Sequence, residues 1–199
     1  MKQAVLAALV LVAAGMTGLA QEEHDKYSLG LKVWSVSPEI GDETLMYGPT
    51  FSMDLPDDQW LSTMVTFGIF EYRWASETEV DAELVYGKSF PLVDVGVGLR
   101  YFSFTFDFGS GDRDQSSNYG LMLYLGAGQP FGDSPFGWYA GVSWVPIAWG
   151  DEEGEHINYE LGLSAFWEGW NATLGYRARD MDTTGGGING IAASVGMTF

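Results

Sequence analysis

The chain has 199 residues, no cysteine, and 27 acidic against 9 basic residues, which gives a formal net charge of -18. One domain is the default at this length. The acidic surplus excludes nucleic-acid recognition through phosphate contacts, and the missing cysteines exclude disulfides and Cys-ligated metals. With 27 glycines, 15% aromatic and only 18% charged residues, the chain is also no acidic disordered tail.

The first twenty residues have the parts of a secretory signal peptide. Lys2 supplies a positive start, residues 4–14 are apolar, and Gly18 and Ala20 place small residues before a cleavage point. An uncleaved anchor is the alternative, but a spanning helix needs about 20 apolar residues. We predict a cleaved signal peptide over 1–20, secretion through the inner membrane, and one mature domain over 21–199.

After the signal peptide, apolar residues recur at every second position, which is the period of β-strands. Tyr159 and Leu161, for example, alternate with Asn158 and Glu160. The same pattern predicts ten strands, at residues 27–37, 45–54, 60–71, 79–88, 93–107, 118–128, 137–149, 156–167, 170–179 and 189–199. The number falls to eight if two of these segments are irregular.

The connectors between these strands alternate in kind along the chain. Residues 55–59, 89–92, 129–136 and 168–169 are turn-rich. Longer, polar and acidic connectors lie between them, at 38–44, 72–78, 108–117, 150–155 and 180–188. An even number of strands then places both termini at the short-turn end. The pattern predicts an all-β fold, a closed antiparallel up-and-down transmembrane β-barrel.

The two faces of the predicted strands differ in chemistry. One face carries no charge in mid-segment, as at Leu121 and Leu123, and a lipid-facing Lys or Arg at that depth costs about 2–4 kcal/mol. The other face carries many glycines, which favours a crowded, curved interior. It also holds Asp94, Arg179 and a predicted lumen charge network of Lys32, Asp81, Glu83, Arg100, Glu160 and Arg177. We expect these charges to pair across a narrow, filled lumen.

The eight tryptophans lie near the predicted strand ends. Four border the short turns and four lie toward the longer connectors: Trp60, Trp138, Trp167 and Trp170, and Trp34, Trp74, Trp144 and Trp149. This distribution predicts an aromatic girdle at each membrane interface.

Three local features disturb the pattern. Pro49 and Pro146 lie inside predicted strands, although a closed barrel has no free edge to accept proline. The alternation also changes phase between Tyr101 and Phe102. We expect β-bulges at these places.

The mature chain resembles small outer-membrane β-barrel proteins of the general OmpA, OmpW and opacity type. The resemblance is most specific at residues 190–199, where Ile191, Val195 and Met197 point one way and the chain ends in Phe199. It implies that Phe199 is an assembly signal read by the barrel-assembly machinery. It also implies a Gram-negative cell outer membrane, with membrane lipid and lipopolysaccharide as partners. Ala192 and Ser194 stand where the family signal usually has a polar residue and a glycine.

The sequence holds little that points to catalysis. His156 is the one plausible catalytic imidazole, since His24 lies in the first residues of the mature chain. Glu153 and Glu155 precede it, and the loop acids Asp180 and Asp182 follow in the next connector. A solvated loop histidine is the plainer interpretation. No nucleotide, flavin, haem or metal motif is present, so no cofactor is expected.

We therefore expect a monomeric, non-enzymatic outer-membrane barrel with a largely packed lumen, acidic extracellular loops, and a structural or surface-interaction role. A narrow porin-like channel for small solutes is one alternative. An outer-membrane lipid-modifying enzyme using His156 is another, and a soluble secreted lipocalin-like β protein is a third.

Overall fold

The computed structural model describes residues 27–37, 43–72, 75–109, 113–151, 154–181 and 187–199. The predicted signal peptide lies outside these ranges. Ten β-strands run in chain order as β1 (Tyr27–Val36), β2 (Thr44–Leu55), β3 (Gln59–Glu71), β4 (Ser76–Ser89), β5 (Asp94–Asp107), β6 (Arg113–Pro130), β7 (Phe136–Gly150), β8 (Gly154–Trp167), β9 (Trp170–Met181) and β10 (Ile188–Thr198). No helix in the described ranges is long and apolar enough to cross a membrane.

The strands form a closed barrel in which each pairs antiparallel with its neighbours in sequence. The barrel closes where β1 pairs with β10, from Ser28 opposite Thr198 to Trp34 opposite Ala192. Beyond that ladder, the Phe199 amide donates to the Tyr27 carbonyl at 2.8 Å. The predicted fold class and the count of ten strands are confirmed, and both described ends of the barrel domain lie beside the short turns.

Several strands extend further into the acidic connectors than predicted. Strand β4 begins at Ser76, and β5 and β6 remain paired as far as Asp107 opposite Arg113. Backbone pairing continues here although the apolar alternation has ended, because the ladder uses N–H and C=O groups that every non-proline residue carries. The periodicity therefore located the strand centres and underestimated their outer ends.

The two prolines are accommodated in different ways. Pro146 lies between Val145 and Ala148, where the register with β8 shifts, so the expected bulge is confirmed there. Pro49 pairs with Leu31 of β1, and the β2–β3 ladder omits it without any shift of register. The bulge expected at Pro49 is wrong, because a local gap in pairing is sufficient to accept a residue that lacks an N–H group.

The phase change expected between Tyr101 and Phe102 is also wrong. Strand β5 keeps one register with β4 and with β6 through this region. Phe102 and Phe104 point into the barrel on the same face as Arg100, and they are 1% and 5% exposed. The lumen becomes apolar at this height, so a change of interior chemistry imitated a change of phase.

The close approach of β2 to β3 at Gly48 generates a first prediction. A Cβ on Gly48 would overlap the Val65 carbonyl oxygen, so Gly48→Ala must displace one strand. We expect the free energy of unfolding in detergent to fall by about 1–3 kcal/mol, as for overpacked cores. Urea titration followed by gel migration measures it.

Gly141→Ala is the matched control. Its Cβ would meet the Tyr124 hydroxyl oxygen at 3.4 Å and ring carbons beyond that. The change in unfolding free energy should stay within about 1 kcal/mol. Equal effects of the two substitutions would contradict the proposed close approach.

Candidate functional site in the lumen

The outer surface of the barrel is apolar across the strand centres. Leu121, Leu161, Leu163 and Leu174 are 58–61% exposed, and similar side chains surround the described barrel. The outward-facing charged residues lie at or near strand ends, as Glu71, Lys88 and Glu155 do. An exposed apolar belt of this kind matches a barrel that spans a membrane.

The tryptophans divide between the two surfaces of the barrel. Trp144, Trp149 and Trp167 are 39–54% exposed on the outside. Trp34 is 2% exposed inside the lumen, and Trp60 packs edge-on against Tyr124 at 5.6 Å between ring centroids. The girdle prediction is wrong for these two, because they share the inward register of their strands. Trp74 lies outside the described residues, and the girdle itself stays a prediction.

Eight inward charges form one alternating series of ion pairs, which we call the charge chain. In order, it consists of Lys32, Glu160, Arg177, Glu83, Arg100, Asp81, Arg179 and Glu79. Each member lies within ion-pair distance of the next, for example 3.3 Å for Arg177–Glu83 and 3.6 Å for Arg179–Asp81. The charge chain contains four cations and four carboxylates, so its formal charges sum to zero.

The charge chain spans the full width of the barrel. In the ring of strands, β4 and β9 are separated by four strands on either side. Arg177 of β9 reaches Glu83 of β4, and Arg179 of β9 reaches Glu79. These pairs connect opposite walls of the barrel across the lumen.

Strand β4 supplies three of the four carboxylates because acids occupy its inward positions in succession. Glu77, Glu79, Asp81 and Glu83 are spaced two residues apart, so all face inward. The Asp81 carboxylate accepts hydrogen bonds from both Nε and Nη2 of Arg100, at 3.0 and 2.6 Å. Such charge-assisted bidentate pairs offset the cost of burying the ions.

The structure brings all six residues of the predicted network into the charge chain. It adds Arg179, which the alternation had also placed inside, and Glu79. The sequence pattern missed Glu79 because the predicted strand began there and Glu77 was assigned to a loop. The equal spacing of Glu77, Glu79 and Asp81 was the signal that could have identified Glu79.

Two apolar clusters lie in the lumen, most of their members toward the acidic connectors. One consists of Val85, Phe102, Phe104, Met122, Val145 and Ala148, and the other of Trp34, Val36, Met46, Phe70, Ile188 and Ala192. Most of their members are under 6% exposed. This half of the barrel is packed like a protein core.

His156 belongs to this packed region. It is 1% exposed, and its ring centroid lies 4.2 Å from that of Phe102. The plainer expectation of a solvated loop histidine is therefore wrong, because His156 occupies an inward position of β8.

The acids expected near His156 lie elsewhere or outside the described residues. Glu155 points to the other face, where it accepts a hydrogen bond from Trp144 Nε1 at 2.6 Å. Asp180 is exposed, while Glu153 and Asp182 lie outside the described residues.

The half of the lumen toward the short turns contains a cavity instead. Its volume is about 480 Å³, and its lining runs from Arg177 and Asn158 at mid-barrel to Asp54 and Thr198 near the strand ends. In the residues that the structure describes, no group of three or more His, Asp or Glu is arranged to hold a metal ion. Among the described residues, ion pairs thus cross the lumen in the middle, apolar clusters lie mostly on one side, and a cavity lies on the other.

The charge chain generates a second prediction. Arg179→Met leaves Glu79 buried without its main partner, so we expect the free energy of unfolding to fall by about 3–5 kcal/mol. Adding Glu79→Leu should restore part of that loss, since the uncompensated charge is then removed. Urea titration of the single and double variants measures the coupling.

Arg113→Met is the control, because the Arg113 side chain is 72% exposed and pairs with Asp107 at the rim. Its effect should stay near or below about 1 kcal/mol. A double variant no more stable than Arg179→Met would contradict the interpretation.

Comparison with known proteins yields structural likenesses alone. No family model and no curated protein matches the sequence. The translocator domain of autotransporter NalP from Neisseria meningitidis matches at 13% identity and a TM-score of 0.47, over 100% of this chain and 96% of that one. The N-terminal β-barrel domain of Pseudomonas aeruginosa OprF matches at 14% and 0.38, over 86% and 97%. Vibrio cholerae OmpT matches at 10% and 0.35, over 89% and 100%.

These TM-scores are below 0.5, so the assignment rests on this chain's own strand pairing and surfaces. A ring of ten antiparallel strands without a free edge, apolar outside and charged inside, has the architecture of an outer-membrane β-barrel.

Proposed function

We propose that the mature chain is a monomeric structural or surface-interaction protein of the Gram-negative outer membrane. The observation that carries this proposal is the placement of the two chemistries. Leucines cover the outside, while the charge chain lies inside with Arg100, Asp81 and Arg179 at most 2% exposed. A soluble barrel has the reverse arrangement, with an apolar interior and a charged exterior, so the soluble lipocalin-like alternative is disfavoured.

The closed lumen supports a structural role over a conducting one. The charge chain joins opposite walls at mid-barrel, and the two apolar clusters fill the space beyond it. A solute would have to separate buried ion pairs and then pass through packed aromatic side chains. The narrow porin-like channel is therefore the weaker proposal.

The acidic end of the barrel supports a role at the cell surface. Glu71, Asp151 and Asp180 are exposed there, opposite the short turns. If the long-connector end faces outward, as in outer-membrane barrels, these groups lie among lipopolysaccharide, the partner that we propose. Assembly by the barrel-assembly machinery through Phe199 is part of the same proposal. We propose no catalytic role for His156, since its ring is buried against Phe102.

The membrane proposal predicts the behaviour of the protein in cell fractions. It should remain in the pellet after a sodium carbonate wash, and unboiled protein should migrate differently from boiled protein in SDS gels. Leu123→Arg should reduce the folded fraction, because a cation at mid-belt costs about 2–4 kcal/mol. Release of the wild type as a soluble species would reject the proposal.

Leu92→Arg is the matched control for Leu123→Arg. Leu92 is 63% exposed in the short turn between β4 and β5, outside the paired strands. Its replacement should leave both the carbonate pellet and the gel shift unchanged.

The obstructed lumen predicts that the protein conducts no ions across a bilayer. Purified protein in a planar bilayer should show no discrete openings above the protein-free baseline, because the charge chain and the apolar clusters obstruct the path. Stepwise currents of constant amplitude would instead support the narrow channel and contradict a structural role.

A further inference from the structure

The cavity beside the short turns has the size and lining of a ligand site. Its volume of about 480 Å³ falls in the range of about 300–1,000 Å³ typical of small-molecule pockets. Hydroxyl groups cover much of its wall, from Ser28, Thr50, Ser52, Ser62, Thr173 and Ser194. Such walls offer donors and acceptors together, so they suit a ligand that also has both.

Two buried polar atoms at the inner end of the cavity have no hydrogen-bond partner among the described residues. They are Asn158 Oδ1 and Arg177 Nε, on side chains that line the cavity and are 4% and 5% exposed. The Asn158 amide nitrogen is occupied, since it donates to Glu83 at 3.1 Å and to Ser143 at 3.3 Å. One acceptor and one donor thus remain, and buried groups of this kind normally have partners.

The charges around these atoms exclude a charged ligand. Arg177 already lies 3.3 Å from Glu83 and 3.6 Å from Glu160. Glu160 also forms an ion pair with Lys32 and accepts a hydrogen bond from the Tyr139 hydroxyl at 2.7 Å. An added anion would meet these carboxylates, and an added cation would meet Arg177 and Lys32. A neutral ligand avoids both costs.

Two tyrosines form apolar patches on the polar wall. The Tyr139 side chain lies against Gly162 and Gly175, where an added Cβ would come within 2.8 Å of its ring and 2.6 Å of its hydroxyl oxygen, respectively. The Tyr124 ring lies in the same way against Gly126. The glycines let both rings lie along the wall, which keeps the cavity open and offers flat surfaces to C–H groups.

We propose that this cavity binds a small neutral polyhydroxylated solute, of the sugar or polyol class, entering from the short-turn end. Its hydroxyl groups would bond the hydroxyl-bearing wall, with its C–H face against the tyrosines. Asn158 Oδ1 and Arg177 Nε lie buried behind that wall, and the two side chains would turn toward the bound solute to accept from and donate to its hydroxyl groups. That the solute arrives from the periplasm rests on the proposed function, whereas binding itself does not.

The test is a ligand titration of the purified chain, folded in detergent micelles and followed by saturation-transfer NMR. Glycerol, D-glucose and sucrose are the neutral probes, and sodium phosphate and putrescine are the charged ones. We expect saturable binding of at least one neutral probe and none of either charged probe. No saturable binding of any neutral probe would overturn the proposal, as would tighter binding of phosphate or putrescine.

Two variants locate the site. Ser62→Trp fills the cavity and should weaken binding at least tenfold, whereas Leu61→Trp, on the outer face of the same strand, should not. Asn158→Leu removes the free acceptor and should also weaken binding at least tenfold. Undiminished binding by folded Ser62→Trp would overturn the proposal.

The gel shift on boiling reports folding of each variant independently of binding. If Asn158→Leu does not fold, the Ser62→Trp and Leu61→Trp pair still decides the matter. Failure of the membrane proposal would appear in the carbonate wash, so the two failures are distinguishable.

Discussion

Closure of the ladder between β1 and β10 is the constraint on which the rest of this structure depends. A hydrocarbon environment offers no water to unpaired backbone groups, so a sheet can lie there only when every edge is paired. The pairs from Ser28 opposite Thr198 to Trp34 opposite Ala192 remove the last two edges. Closure also forces every second side chain into a narrow interior, where polar groups must find partners across the barrel.

The charge chain supplies these partners for the charged side chains inside the barrel. A buried ion without a partner is strongly destabilising, whereas a matched series costs much less. Strand β4 supplies three of the four carboxylates, and Arg177 and Arg179 reach them from the opposite wall. The same pairs that compensate the buried charges also join opposite walls of the lumen, which is why the proposed structural role and the stability of the interior depend on the same contacts.

The two halves of the lumen are filled on different principles. Toward the acidic connectors, Phe102 and Trp34 and their neighbours pack as a core. Toward the short turns, glycines let Tyr124 and Tyr139 lie against the wall, and hydroxyl-bearing side chains surround a cavity. The glycine-rich inner face therefore serves close strand contact at Gly48 and makes room for aromatic rings at Gly162 and Gly175.

The sequence by itself determined the barrel, because period-two alternation and connector rhythm are local properties that survive without coordinates. It also identified the inward charges from Lys32 to Arg177, since facing depends only on parity along a strand. Pairing partners could not be read in this way: Arg179 and Glu79 are 100 positions apart in the chain. The inward apolar region could not be read from the sequence either. Phe102 is as apolar as a lipid-facing residue, and only the strand register shows that its side chain points into the lumen. Tertiary structure decided these features and the cavity, because each depends on which strands face one another across the closed barrel.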